Sequence, residues 1–466
     1  MISSLIQNTN NILYSYILII LLVAGGIYFT FKTRFVQFRL FGDQIKSVTQ
    51  KSTAKNGVSS FQALMVSTAS RVGTGNIIGV STALCLGGFG SVFWMWIIAL
   101  IGAASAFVES TLAQIYKKKE KDGACGGPAY YIEACLKSRK LAITFSVFLI
   151  LTYGFGFNML ASYNLQSTFS PYGFYNDTYS PWIIGFILAS VVCYCLLGGG
   201  KRIINVTTLL VPVMGVAYIL VALVITFMNA KLLPDIFSRI FTEAFDAKAI
   251  FGGFSGSCIM YGIKRGLFSN EAGVGSAPNA SASADVKHPV NQGLVQILSV
   301  FIDTILVCTA TAFMCMASGV EPTKKLSGAP YVQKALFEAL GNAGPIFITA
   351  AMVLFAFTTL LGNLYYVDRS LHYILKRTPT KAEQTVSHII ASVVIFLGAG
   401  LSASLLWDIA DITMGAMTLI NMPVILYLGK YSLRALSDYD KQRKQNKEPV
   451  FFAKNIYLPH DVYYWK

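Results

Sequence analysis

The sequence predicts an all-α integral membrane protein of about eleven transmembrane helices, with one leading helix followed by two five-helix halves of opposite topology. Three observations carry that prediction. Of 466 residues, 54% are hydrophobic and only 13% charged, where a soluble chain carries about 25% charge. The apolar residues recur in runs of about 20, the length that crosses a bilayer. Two of these runs, roughly 190 residues apart, are interrupted by glycine-rich polar stretches in corresponding positions, the pattern of inverted repeats.

In order, the spans fall near 12–31, 61–87, 91–116, 141–165, 181–199, 204–228, 250–275, 292–317, 345–374, 383–404 and 405–428. Residues 1–60 then hold an outer segment, the extra helix and a cytoplasmic loop; 61–228 form the first five-helix repeat, 229–430 the second, and 431–466 a cytoplasmic tail. The tail after Arg434 reads as polar and partly disordered. Met1 to Asn11 carry no Lys or Arg, and the apolar run that follows is too long for a cleaved signal, so a retained helix is expected. Gly126 to Leu136 read as a cytoplasmic surface helix.

An odd number of spans places the termini on opposite sides. Of 37 Lys and Arg, 30 fall on segments assigned to one face, Lys264 and Arg265 among them; six fall on the other and Arg71 lies inside a span. Basic residues accumulate in cytoplasmic loops, so the N-terminus is expected outside and the C-terminus in the cytoplasm. The short loops suggest a prokaryotic plasma membrane. The net charge of +15 is accounted for as a topology signal, without nucleic acid as a partner. The eight cysteines lie mostly within apolar runs, with no CxxC pair and no Cys/His cluster, so neither disulfides nor a zinc or iron–sulfur site is expected. No Walker motif, nucleophile elbow or zinc signature is present, which argues against an enzyme.

The second span reads Ser70-Arg-Val-Gly-Thr-Gly-Asn-Ile-Ile-Gly79, a poor recipe for a continuous helix. The seventh has Gly252, Gly253, Gly256, Gly262 and Gly266, then Phe268-Ser-Asn-Glu-Ala-Gly-Val-Gly-Ser276. Irregular backbone at membrane depth survives only inside protein or against a wet cavity. A half-helix starting near Asn76 presents free N–H groups and partial positive charge, which suits a carboxylate. Unwound carbonyls from Ala69 to Gly73 suit Na⁺ or an ammonium group, so a zwitterionic amino acid fits both ends of one break. The competing interpretation is that such glycines merely let helices approach closely.

At Ser70–Gly79 and Gly266–Pro278 the chain resembles the alanine/glycine:cation symporter family, the sodium:alanine symporters. Phe93-Trp-Met-Trp96 with Glu109, Gly126-Gly-Pro-Ala-Tyr130, Phe301-Ile-Asp-Thr304, Phe355-Ala-Phe-Thr-Thr359 and Trp407-Asp-Ile-Ala-Asp411 extend the match over nearly the whole length. The resemblance implies a leucine-transporter-type core of ten helices after one extra helix, and sodium-coupled, sometimes proton-coupled, symport of small neutral amino acids such as alanine and glycine, with no cofactor beyond Na⁺ as coupling ion. It further implies that Gly73, Thr74, Gly75 and Asn76 hold the substrate carboxylate, and that an unwound part of span 7 around Tyr261 and Gly262 faces the ammonium group and side chain, with Thr359 and Asn363 also at the substrate. Sodium would sit between carbonyls of Ala69 and Val72 and hydroxyls of Thr358 and Thr359. The alternative is proton-coupled symport of a different neutral amino acid in the same fold.

Two departures bear on the substrate. Where many members of that family read Asn-Met-Val-Gln, this chain reads Asn158-Met-Leu-Ala161, and Asn363 stands where many have Trp; a larger or differently polar pocket is expected. Charges inside a membrane usually face the bundle interior in pairs. Arg71 is a gate candidate, and Glu271 is expected to cap its loop, with Arg71 as a weaker contact. Asp303 is expected to pair with Lys264 or Arg265, Glu109 to reach cytoplasmic water, and Asp408 and Asp411 to cap the last span. None of the four histidines reads as a proton relay.

Overall fold

The computed structural model describes residues 9–10, 12–50, 52, 57–120, 123–246, 258–458 and 462–465. After a π-turn at Leu13–Ile17, α1 covers Leu18–Lys32. The second span is two helices, α2 (Ser60–Arg71) and α3 (Gly75–Gly87). Then follow α4 (Gly90–Ile115), a two-stranded hairpin of β1 (Lys118–Glu120) and β2 (Gly123–Cys125), and α5 (Pro128–Leu136). Next come α6 (Arg139–Ser167), α7 (Ser180–Leu196), α8 (Gly199–Met228), α9 (Leu233–Ala244) and α10 (Cys258–Asn270). The chain closes with α11 (Pro289–Ala317), α12 (Ala329–Leu340), α13 (Ala343–Leu375), α14 (Lys381–Ala399) and α15 (Ala403–Lys444). Among the described residues seven helices are long and apolar enough to cross a membrane, and α1, α3 and α7 are shorter apolar helices.

The local chemistry explains the ends. A capping box of Ser59 and Gln62 starts α2, and another of Thr380 and Glu383 starts α14, each satisfying otherwise free N–H groups. α4 is the central post: from Gly102 to Ile115 it is buried on every side, and its run of Gly, Ala and Ser allows α10 and α11 to pack closely. In α10, a Cβ at Gly262 would lie 2.5 Å from the Ser91 carbonyl, and one at Gly266 would lie 2.6 Å from Ile98. Lipid-facing α8 and α14 instead expose Leu, Val, Ile and Phe.

Three expectations are corrected. The region of Tyr261 and Gly262 is regular helix, not unwound; the Gly262-x-x-x-Gly266 spacing packs α10 onto α4. Unwinding comes later, at 271–277, where Glu271, Gly273 and Gly275 take φ of 53°, 85° and 92°; Gly252, Gly253 and Gly256 lie outside the described residues. The tail is docked: α15 runs to Lys444, Phe451 and Trp465 are buried, and Trp465 Nε1 donates to the Gln114 carbonyl at 2.8 Å. The segment at Pro128–Leu136 is not a surface element, since Tyr131 is fully buried and donates to Asn421 Oδ1 at 2.5 Å.

Candidate functional site

α2 ends because Val72 leaves the helical region, at ψ 89°. The Gly73 N–H donates to Asn76 Oδ1 at 2.9 Å, not to the Ala69 carbonyl, and the Asn76 N–H donates to the Gly73 carbonyl at 3.1 Å, not to that of Val72. Ala69 and Val72 carbonyls therefore lack the donors a continuous helix would supply. Gly73 is sterically required here, because a Cβ would lie 2.1 Å from Thr359 Oγ1 on α13. That hydroxyl is buried with no hydrogen-bond partner among the described residues. Thr358 differs: its hydroxyl donates back to the Leu354 carbonyl at 3.0 Å and faces Met214 Sδ of α8 at 3.5 Å.

A cavity of about 10 Å³ adjoins the break, walled by Gly73, Thr74, Gly75 and Thr359 on one side and by Phe157, Leu160, Ala161 and Phe268 on the other. Phe268 covers Gly75, where a Cβ would approach its ring edge to 2.6 Å. It is held between Phe157 and Trp407, with ring centroids 4.6 and 4.8 Å away. The wall at Ala161 is apolar and the space enclosed in this structure is small. Asn76 lies behind the cavity, where its amide donates to Ser269 Oγ at 3.1 Å and Asp303 Oδ1 at 2.7 Å. Asn363 is likewise outside the wall: Ser70 Oγ donates to it at 2.6 Å and its own amide donates to Asn158 Oδ1 at 2.9 Å, tying α2, α13 and α6 together. Tyr261 and Gly262 face α3 and α4 instead.

The buried charges are arranged differently from expectation. Asp303 does not meet Lys264 or Arg265; it accepts from Asn76, Ser269 and Thr304. Lys264 Nζ lies 2.7 Å from Asp411 Oδ2, with Arg265 3.7 Å from the other oxygen and stacked on Trp407. Asp411 is thus a buried counter-ion rather than a cap, and Asp408 accepts from Asn10 at 2.8 Å. Glu109 does not reach water: it is fully buried and accepts from Asn421 Nδ2 at 2.8 Å. Arg71, also buried, donates to Gln296 Oε1 at 3.1 Å, and its charge acts on both Glu109 and Glu271. Glu271 accepts from Ser276 at 2.6 Å, closing the 271–277 turn.

The family model described as the sodium:alanine symporter family matches residues 1–453 of this chain. The chain belongs to that family. Among its relatives, the amino-acid carrier protein AlsT of Bacillus subtilis is 40% identical across 97% of this chain and 96% of its own length. The probable sodium/glutamine symporter GlnT of the same organism is 41% identical, over 97% of this chain and 93% of its own. The sodium/alanine symporter AgcS of Methanococcus maripaludis is 36% identical, over 95% and 98%. A crystal structure of MhsT in complex with L-phenylalanine superposes with TM-score 0.60 at 17% identity, covering 83% of this chain and 93% of that one. This establishes the leucine-transporter-type fold, in a family of multi-pass membrane transporters.

In this sodium:alanine symporter family member, two site residues escaped sequence reasoning. Asn164 Nδ2 donates to Thr74 Oγ1 at 3.0 Å, so the break is held from α6 as well. Its signal was a second asparagine, six residues after Asn158, in a mostly apolar span. Phe268 forms the cavity's cover; it opens the Phe268–Ser276 stretch, but as one aromatic among 32 Phe it carries no sign of that role.

Proposed function

We propose that this chain carries a small neutral amino acid, alanine or glycine foremost, into the cell together with Na⁺, by alternating access around the α2–α3 break. The observation that carries the reading is the three-residue interruption at Val72–Thr74, which faces carbonyls of Ala69 and Val72 and the unpartnered Thr359 hydroxyl to one side and the N-terminus of α3 to the other. Neutral oxygens at such a break suit a monovalent cation that must leave again, and a helix N-terminus suits a carboxylate. Gly73, Thr74 and Gly75 hold the carboxylate on this reading, Asn76 fixes the backbone that does so, and Phe268 with Ala161 limits the side chain to a small one. Residues 61–228 and 229–430 act as the inverted halves. Lys264 and Arg265 sit inside the bundle and leave the loop count, yet 28 of the 30 basic residues still share one face, supporting a cytoplasmic C-terminus and an outer N-terminus. The buried carboxylates of Glu109, Glu271 and Asp303 favour a second reading, proton coupling.

Uptake of labelled alanine into proteoliposomes under an inward Na⁺ gradient tests this, with Li⁺, K⁺ and proton gradients in parallel. Accumulation with Na⁺ alone supports the first reading. Accumulation with a proton gradient alone selects the second, and no uptake of any neutral amino acid refutes both.

A further inference from the structure

A cavity of about 980 Å³ is separate from the α2–α3 break. It lies between the inner parts of α6, α13 and α14, with Glu120 and Ala124 of the hairpin and Ser283 at its rim. At its wall three potential ligand atoms converge. The His372 Nε2 is 2.6 Å from Glu120 Oε1, and the Cys125 thiol donates to the same oxygen at 2.6 Å. All three atoms lie within 4.8 Å of one another.

The sequence hides this cluster. His372 is about 250 positions from the other two, and no motif spacing joins them. The hairpin supplies Glu120 and Cys125: Glu120 pairs with Gly123 and Lys118 with Cys125, so Glu120 and Cys125 are diagonal neighbours on one face of the ribbon. α13 brings His372 down onto that face from the second half of the chain. Cys125 is only 2% exposed, whereas the side chains of His372 and Glu120 are 16% and 23% exposed toward the cavity. An ion therefore has an approach, and the thiol has a dry backing.

We propose that Glu120, Cys125 and His372 form a binding site for a borderline-soft divalent metal ion, Zn²⁺ being the natural occupant, with water as the fourth ligand. Sulfur, imidazole nitrogen and carboxylate oxygen are the donor set of such ions, and three protein ligands with one open position is a recurrent zinc arrangement. A metal with ligands at about 2.0–2.3 Å needs donor separations of about 3.3–3.7 Å. Glu120 Oε1 now sits 2.6 Å from each of the other two atoms and has to swing outward to admit the ion. Binding releases the Cys125 proton to water and strips His372 Nε2 of the hydrogen it now points at Glu120, by exchange to the Nδ1 tautomer or, from a charged ring, by release to water; the two anionic ligands then balance the ion's charge. Arg369, one turn before His372, adds a positive charge that acts on Glu120 and Cys125, which sets the affinity below that of an all-cysteine site. Tyr130, 3.0 Å from the thiol, remains beside it as a hydrogen-bond partner.

The ion would join the α4–α5 hairpin to the inner end of α13, and so staple the first half of the chain to the second across the mouth of this cavity. That consequence rests on the transport reading above; the metal site does not. Inner-side Zn²⁺ is then expected to slow transport by holding the two halves together.

The test is a Co²⁺ titration of the purified full chain in detergent, followed by absorbance. A single equivalent with thiolate-to-cobalt charge transfer, displaced by Zn²⁺, is expected. Cys125→Ser should abolish the charge-transfer band, and His372→Gln should weaken binding by about 100-fold or more. Absence of that band in the wild type, or its persistence in Cys125→Ser, would overturn the site and leave a hydrogen-bonded clasp. Should one variant fail to fold, the other decides. In proteoliposomes held in chelator, wild type and Cys125→Ser should take up alanine alike, and Zn²⁺ trapped inside should slow only the wild type. Equal slowing of both would remove the staple. No uptake by the wild type in chelator would refute the transport reading while leaving the cobalt result intact.

Discussion

The two interrupted helices share a composition, small residues with glycine and asparagine, and do different work. At Val72–Gly75 the chain has two glycines, Gly73 and Gly75, neither with positive φ, and the irregularity comes from Val72 and from Asn76 capturing the Gly73 N–H. Carbonyls are thereby set free next to a cavity. At 271–277 the irregularity is three positive-φ residues, and most of the polar groups there are bonded within the protein: Asn421 donates to the Gly273 carbonyl at 2.9 Å and to Glu109 at 2.8 Å, and Ser276 donates to Glu271, while Glu271 Oε1 has no partner among the described residues. The first interruption offers groups to a ligand; the second spends them on holding α10 against α4, α5 and α15. A glycine cluster in a membrane span is therefore read best by asking where its displaced hydrogen bonds go.

Four experiments break or sharpen that contrast. Asn76→Ala strands the Gly73 N–H and takes the donor from Asp303 Oδ1, while Ser269 and Thr304 still reach Oδ2. At about 1–3 kcal/mol for each buried group left unpaired, uptake should fall by about 100-fold, measured as initial rate per folded protein. Near wild-type uptake would show that the first break does not need its cap.

Gly275→Ala should act on folding instead. The residue has φ of 92° and a Cβ would meet Phe145, Asn421 and Pro128 within about 3.0 Å. A cost of about 1–3 kcal/mol should lower the melting temperature in detergent, while the Na⁺ half-saturation of surviving protein stays unchanged. A shifted half-saturation would place the second break in the ion site.

Thr359→Ala should raise the Na⁺ half-saturation concentration about tenfold, the loss of roughly 1.4 kcal/mol, with Thr359→Ser restoring it. Equal effects of Ala and Ser would make the residue a packing element only.

The smallest effect concerns a region outside both breaks. Burial pushes the Lys117 amine down to about 7, against the tail residues Tyr464 and Trp465, 4.0 and 5.0 Å from it. Undocking the tail exposes the amine, which regains its ordinary higher value. The undocked state then binds more protons above about pH 7, so docking should strengthen as pH rises from 7 to 9. The ring faces favour the charged amine and oppose this in part, but the amine is wholly enclosed. Protease protection of the tail should rise over that interval in wild type, and Lys117→Met should flatten the response.

Much of this was legible from the sequence. Runs of apolar residues located the helices because bilayer length fixes helix length, and Gly73-Thr-Gly75-Asn76 marked the first break because no helix former is present there. The second break was displaced by about ten residues: Gly262 and Gly266 carry the same letters whether they loosen a helix or let it touch Ser91 and Ile98, and only the neighbour decides. Pairings such as Lys264 with Asp411, or Asn363 with Ser70 and Asn158, join distant segments, which periodicity does not encode. The tail's Phe451 and Trp465 were overlooked because a polar average conceals two anchoring rings.

The brevity of the first interruption has one more consequence. If Na⁺ and amino acid bind as proposed, they order opposite faces of the same three peptide units, Val72 to Thr74. A backbone that short has no independent freedom to settle around one ligand while remaining loose for the other, so each binding event lowers the ordering entropy left for its companion. By reciprocity the amino acid tightens the ion as much as the ion tightens the amino acid. Slippage, meaning ion leak without cargo, is thereby suppressed by chain connectivity itself, and a variant with one residue inserted between Val72 and Gly73 would be the place to see it appear.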